Sequence, residues 1–216
     1  HANLVANLTQ VRPMLEDQVE EGKEVVIAPL PLYHIYSFTL NCGIMLEAGA
    51  HNVPIPNPRD IPGFVKELQK QKFSAFIGLN TLFVALCNNE DFQDLDFSGL
   101  KLTASGGMAL TSDTAKMWQR VTGCEISEGY GMTETSPVVT FNPRSAIQIG
   151  TIGLPIPSTV VKTIDDDGNE TCLKSGDIVV KRSDLLEERY QSRRENIHGK
   201  LFRSISRKDY SDRLHA

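Results

Sequence analysis

The 216-residue chain predicts an α/β fold: a largely parallel sheet covered by helices, followed by the start of a small β subdomain. Three observations carry that expectation. Short β-branched apolar runs alternate with amphipathic helical segments as far as about residue 149, and such alternation favours parallel strands joined by crossover helices. Segments rich in glycine or proline, with chemically capable side chains, follow several of the runs. After about Gly150 the pattern changes to two short strands around Asp165-Asp166-Asp167-Gly168, a hairpin signal.

The elements follow in order. Leu4, Val5, Leu8, Val11 and Leu15 repeat at helical spacing, which predicts an amphipathic helix over 2–19. Glu24 to Ala28 reads as a buried strand stopped by Pro29-Leu30-Pro31, and Ile35 to Glu47 as a buried helix. Val53 to Ile55 is the next strand. Asn57-Pro58-Arg59-Asp60 is a turn and helix start, with Ile61, Phe64, Val65 and Leu68 on one face. Strands are expected at Ser74–Ile77, Leu100–Ala104 and Glu125–Ser127, and helices at Thr81–Asn88 and Thr111–Val121. Beyond these, Thr159–Ile164 and Asp177–Lys181 flank the hairpin turn.

These readings divide the chain at 1–149, 150–181 and 182–216. The last segment holds nine Lys/Arg against six Asp/Glu, opposite in sign to the whole, and few large hydrophobes. That composition predicts a poorly packed, disordered tail. Elsewhere, 40% hydrophobic and 23% charged residues are globular values. A net charge of -5 without a basic stripe argues against binding nucleic acid. Cys42, Cys87, Cys124 and Cys172 form no Cys-x-x-Cys pair, so they read as reduced cytosolic thiols and neither a disulfide framework nor a zinc site. No apolar run is long enough to span a bilayer. The chain opens on His1 inside a helical pattern with no initiator Met, so a fragment is expected.

The chemistry concentrates in Glu128-Gly129-Tyr130-Gly131-Met132-Thr133-Glu134-Thr135. Read as a turn-prone segment, its glycines let the backbone approach a ligand, and Tyr130 offers a face on which a base could stack. Thr133 can bond a phosphate oxygen, and Glu134 is the hard oxygen ligand that Mg²⁺ prefers. A Gly-rich loop with one exposed Glu is the plain alternative. Pro29 to Tyr36, Gly78 to Thr81 and Ser105 to Met108 also follow expected strands. In an open parallel sheet such loops share the carboxyl edge, where ligands bind. No Gly-x-Gly-x-x-Gly follows the first strand, which disfavours a dinucleotide domain.

The octet resembles the adenylate-binding signature of the AMP-forming acyl- and aryl-CoA ligases, a superfamily that also holds luciferases and peptide-synthetase adenylation domains. Leu30 to Phe38, Asn57 to Gly63, Asn80-Thr81-Leu82-Phe83 and Leu95-Asp96-Phe97-Ser98 are similar to bacterial long-chain fatty-acid–CoA ligases, and the resemblance runs from His1 to about Asp177. It makes 1–149 a partial adenylate-binding subdomain and 150–181 the start of a β-barrel-like one. It implies that ATP and a fatty acid form an acyl-adenylate and pyrophosphate, and that coenzyme A then displaces AMP. On this resemblance Glu134 holds Mg²⁺, Thr133 contacts phosphate and Tyr130 stacks on adenine. Glu128 and Gly129 line the nucleotide, Gly107 admits adenylate and acyl chain, His34 positions the carboxylate and Ile35 touches the acyl group. Medium-chain or aryl-acid ligases and a non-catalytic acyl- or nucleotide-binding remnant are the competing expectations.

The family's phosphate loop would precede His1, and its ribose-gripping Thr-Gly-Asp and mobile C-terminal domain would follow this chain. Ser175-Gly176-Asp177 comes too early to be that motif. Weak ATP binding and negligible turnover are therefore expected of the chain alone. The resemblance further implies a cytoplasmic parent, peripheral contact with the inner membrane, and a homodimer.

Overall fold

A computed structural model describes residues 1–164, 170–171 and 177–182, and side-chain surroundings as far as residue 162. Its centre is a seven-stranded sheet in the order β2-β1-β3-β4-β5-β6-β7. The strands are β1 Val25–Ala28, β2 His51–Pro54, β3 Ala75–Gly78, β4 Leu102–Ser105, β5 Ile126–Gly131, β6 Val138–Phe141 and β7 Leu154–Pro155. β1 to β5 are parallel, whereas β6 and β7 add antiparallel at one end. The α/β expectation holds.

Parallel registers put Ile27, Phe76, Thr103 and Ile126 on one face. There they meet the apolar sides of α3 Ile61–Leu68, α4 Asn80–Cys87, α5 Glu90–Gln93 and α6 Ser112–Thr122. Trp118 is fully buried at the middle of this layer, with ring centroids 4.8 Å from Phe83 and 5.2 Å from Phe76, and its indole N–H donates to Thr103 Oγ1 at 3.1 Å. Burying an apolar side chain of this kind stabilises by about 1.5–3 kcal/mol. The opposite face carries Val26, Ala75, Ile77, Leu102 and Ala104. It is covered by α1 Ala2–Val11, the 3-10 turn Arg12–Leu15 and the segment from α2 Ile35–Ser37 to Met45.

Three elements differ from expectation for identifiable reasons. The first helix ends at Val11 and tightens into the 3-10 turn, because Pro13 lacks an amide hydrogen and its ring opposes the α ladder. The second buried helix begins as α over Ile35–Ser37, is a π-helix over Phe38–Met45 and returns to α geometry at Leu46 and Glu47. Asn52 Nδ2 donates to the Asn41 carbonyl at 3.1 Å and Asn41 Nδ2 to Asn52 Oδ1 at 2.8 Å. The Asn52 side chain thus satisfies a carbonyl within the π segment, the kind of contact that accompanies departures from the α ladder. β5 runs on through Gly131 where a short strand ending at Ser127 was expected.

Residues at two of the expected helix starts act as caps. Asp60 accepts from Gly63 N at 3.1 Å and Thr111 from Thr114 N at 3.2 Å, each satisfying an otherwise orphaned first-turn donor. At the amino edge of the sheet, Glu24 is buried and bound by the Ser74 hydroxyl, by Glu20 N–H at 2.8 Å and by Lys101 Nζ at 3.0 Å. Burial alone would raise the Glu24 pKa, but these donors outweigh it and hold the carboxyl below its usual range.

Beyond β7, strands β8 Thr159–Ile164, β9 Glu170–Thr171 and β10 Asp177–Arg182 form a second antiparallel sheet in the order β10-β8-β9. The strands expected at Thr159–Ile164 and Asp177–Lys181 therefore pair. β9 separates them in sequence, and the turn Asp165–Gly168 lies outside the described residues. So does the expected tail from Ser183 onward.

Candidate active site

The sheet order reverses direction beside β1. The connection from β1 to β2 covers one face and that from β2 to β3 the other, so the chain leaves the β1–β3 boundary in opposite directions. A crevice at the carboxyl ends of such strands is where open α/β sheets bind ligands. The loops after β1, β3, β4 and β5 all lie on that edge.

His34 is exposed and caps α2, its Nδ1 accepting from Tyr36 N at 3.3 Å. That bond assigns the proton of the neutral ring to Nε2, leaving Nε2–H as an exposed donor. Ile35 follows, half-buried, as the first residue of α2. Tyr36, a residue the sequence reading passed over, joins three loops. Its hydroxyl donates to the Gly78 carbonyl at 3.4 Å, and its ring lies where a Cβ on Gly106 would come within 3.1 Å. Burial pushes the Tyr36 hydroxyl upward, so it stays a donor.

Gly107 has φ +78° and is exposed, with open space where a side chain would stand. Its glycine is thus required by the backbone conformation. The loop is tied down just beyond. Leu110 N–H donates to Glu128 Oε1 at 3.0 Å, and Thr111 N–H donates to Asn80 Oδ1 at 3.0 Å. Neither partner is detectable from sequence spacing, because they lie 18 and 31 residues away.

The octet departs most from its sequence reading. Its first half is strand, not turn. Gly129 pairs with Phe141 and Tyr130 with Thr140 across the β5–β6 ladder, with a shift in register between Tyr130 and Gly131. A Cβ on Gly131 would stand 2.3 Å from the Pro137 carbonyl oxygen, and one on Gly129 3.0 Å from the Phe141 ring. These glycines admit the returning strand of the same chain. Tyr130 is only 7% exposed and packs with Val139, Ile152, Met132 and Val161, so its ring is not the open platform the sequence suggested. Glu128 is buried, with its carboxylate directed at Leu110 N–H. Thr133 and Glu134 do stand exposed, on the 3-10 turn Thr133–Thr135.

That turn is held from below. The Thr135 hydroxyl donates to the Pro137 carbonyl at 2.5 Å, and Met132 N–H donates to Thr135 Oγ1 at 3.0 Å. Farther along, Asn142 Nδ2 donates to the Thr151 carbonyl at 2.9 Å and to the Glu128 carbonyl at 3.2 Å, closing the 142–151 loop beneath β5. Asn7 on α1 exchanges two bonds with Val138, at 2.9 and 3.0 Å, and so clamps β6 from the other layer.

Among the described residues no three His, Cys, Asp or Glu side chains gather as a metal cage. A single exposed carboxylate beside a hydroxyl nevertheless fits Mg²⁺, which keeps several waters and takes one or two carboxylates together with substrate phosphates. Burial raises the thiols of Cys87, to about 11, and Cys124, so neither is a ready nucleophile. No helix of the described residues is long and apolar enough to cross a membrane.

Comparison with known proteins adds the following. A family model described as AMP-binding enzyme matches residues 1–188. The chain is 49% identical over 188 residues to the long-chain-fatty-acid–CoA ligase of Salmonella typhimurium, covering 86% of this chain and 34% of that protein. It is 51% identical over 171 residues to the ligase of the same description from Escherichia coli O157:H7, covering 79% and 30%. The chain thus spans about a third of the length of these curated relatives. Among solved structures, an anthranilate CoA ligase in complex with anthranoyl-AMP superposes with TM-score 0.74 at 23% identity over 82% of this chain and 34% of that one. A long-chain-fatty-acid-CoA ligase from Archaeoglobus fulgidus gives TM-score 0.68 at 22% identity over 83% and 38%. At those identities the superpositions establish the shared fold.

Proposed function

The chain belongs to the AMP-binding enzyme family, and on that premise we propose that it carries the adenylate-side wall of a long-chain fatty-acid–CoA ligase. In this reading 1–149 is a partial adenylate-binding subdomain and 150–181 begins a β-barrel-like one. The reaction couples ATP, a fatty acid and coenzyme A, with an acyl-adenylate between the two steps. The observation that carries the reading is that Tyr36, after β1, reaches Gly78 at the end of β3 and abuts Gly106 after β4, which ties three of the chemistry-bearing segments together at the carboxyl edge of the sheet.

Each residue then has a task at that edge. His34 offers Nε2–H to the fatty acid carboxylate, orienting an oxygen toward the α-phosphorus, while Ile35 touches the first part of the acyl chain. The open conformation at Gly107 lets adenylate and acyl group lie against backbone. Thr133 donates to a phosphate oxygen and Glu134 holds Mg²⁺. When bound, the ion neutralises phosphate charge and fixes in-line geometry, which is the main assistance phosphoryl-type transfer needs. Gly129 and Tyr130 contribute to the wall behind adenine. Peripheral membrane contact and a homodimer of the full-length parent belong to the same reading.

Nucleotide binding by this chain tests it. Saturation-transfer NMR should detect MgATP more strongly than ATP in EDTA, and Glu134→Ala should remove the difference while leaving the fold unchanged. Binding indifferent to Mg²⁺ in the parent chain would overturn the assignment.

A further inference from the structure

The sequence assigns Glu128 to the nucleotide, but its carboxylate faces the protein. Glu128 is 4% exposed and accepts from Leu110 N–H at 3.0 Å. Leu110 is itself buried and ends the Gly106–Ala109 loop. Two more contacts grip the same loop from different neighbours. The Tyr36 ring lies against Gly106, and Asn80 Oδ1, at the start of α4, accepts from both Thr111 N at 3.0 Å and Thr111 Oγ1 at 3.4 Å. Between these grips the loop reaches φ +78° at exposed Gly107. The Glu128 carbonyl meanwhile accepts from Asn142 N at 3.0 Å and Nδ2 at 3.2 Å, which fixes β5 as the base of the arrangement.

We propose that Glu128 and Asn80 are positioning residues that frame the Gly106–Ala109 loop, and that Glu128 makes no contact with nucleotide. A carboxylate accepting a buried backbone N–H is a strong anchor, and its removal leaves that donor without its partner. The frame matters because the loop between its grips lacks packing of its own at Gly107. Displacement by about 1 Å is enough to weaken binding substantially where ligands meet backbone. The proposal rests on the functional reading above for its ligand, though not for the loop.

The test separates the two. Glu128→Gln keeps Oε1 as an acceptor, whereas Glu128→Ala removes it. Hydrogen exchange at the Leu110 amide should quicken by about tenfold or more in Glu128→Ala, the scale of one charged hydrogen bond, and by clearly less in Glu128→Gln, which keeps a neutral acceptor. MgATP affinity should follow the same order, falling in Glu128→Ala and surviving in Glu128→Gln. Equal loss in both variants would mean that the charge itself touches ligand and would overturn the proposal. So would unchanged exchange at Leu110. Should Glu128→Ala not fold, Asn80→Ala releases the other grip from a partly exposed position. Faster exchange at Thr111 with weaker MgATP binding supports the frame, and unchanged affinity sinks it. Failure of the parent chain to bind MgATP would refute the functional reading alone, since Leu110 exchange decides the anchor without ligand.

Discussion

Replacing Gly131 by alanine separates two accounts of the glycines in the octet. If they exist to admit a ligand, an added methyl group costs nucleotide affinity and little stability. The structure predicts the reverse. An ideal Cβ on Gly131 lies 2.3 Å from the Pro137 oxygen, 2.8 Å from its carbonyl carbon and 3.0 Å from Val138 Cα, all backbone atoms. Ordinary C···O contact begins near 3.3 Å, so the turn before β6 must withdraw by about 1 Å. Such a shift strains the Met132 N–H bond to that same oxygen, now 3.1 Å. Overpacking against atoms that cannot rotate away belongs at the upper end of its usual range, about 2–3 kcal/mol. Gly129→Ala meets the Phe141 ring at 3.0 Å and the Thr140 carbonyl oxygen at 3.3 Å, milder contacts that need shifts of only a few tenths of an ångström, so about 1 kcal/mol is expected there. Urea unfolding followed by circular dichroism measures both. Gly131→Ala should lower the midpoint by about 1 M at unchanged slope, and Gly129→Ala by less than half of that. Equal midpoints for all three proteins would refute the steric argument and restore the ligand account.

Two further perturbations follow from the polar anchors. Lys101→Met should cost about 1–2 kcal/mol, less than for a fully enclosed pair, because Lys101 is a third exposed and solvent screens it. The Glu24 carboxyl is held below its usual range, so its contribution is complete above about pH 4.3 and fades as pH falls through the lower folded value. Lys101 is raised by Glu24 and Glu20, so its share persists below about pH 10.4 and fades as pH rises through the higher folded value. Stability curves of the variant should therefore be flatter at both extremes, and a curve parallel to the parent's would contradict the linkage. Asn7→Ala leaves the Val138 N–H and carbonyl without their side-chain partner. It should cost about 2 kcal/mol, with amide exchange at Val138 at least tenfold faster. An unaltered Val138 exchange rate would remove Asn7 from the account of how β6 is held.

Much of the fold was legible because it rests on local signals. The expected helices on the face bearing Trp118 matched α3, α4 and α6, with the starts at Asp60 and Thr111 right to within a residue, whereas the four-residue α5 Glu90–Gln93 is too short to show a period and was not foreseen. The first helix was drawn too long because its apolar spacing continues past Pro13, whose ring stops the ladder regardless. The π-helix left no trace in the sequence, and the Asn52 side chain that bonds Asn41 within it comes from β2. Of the candidate site, His34, Thr133, Glu134 and Gly107 emerge exposed on the expected edge. Glu128 and Tyr130 turn inward instead.

Residue types and their spacing by themselves determined the alternating architecture, the edge on which the loops gather and the family resemblance of the octet. These are properties of neighbours along the chain. The tertiary structure alone decided that Gly131 faces Pro137, that Tyr130 packs beneath Ile152, and that Glu128 anchors Leu110. The physical reason is that a side chain's partner is set by strand order and register. In this fold those bring together groups as far as 131 residues apart, a relation with no local signature.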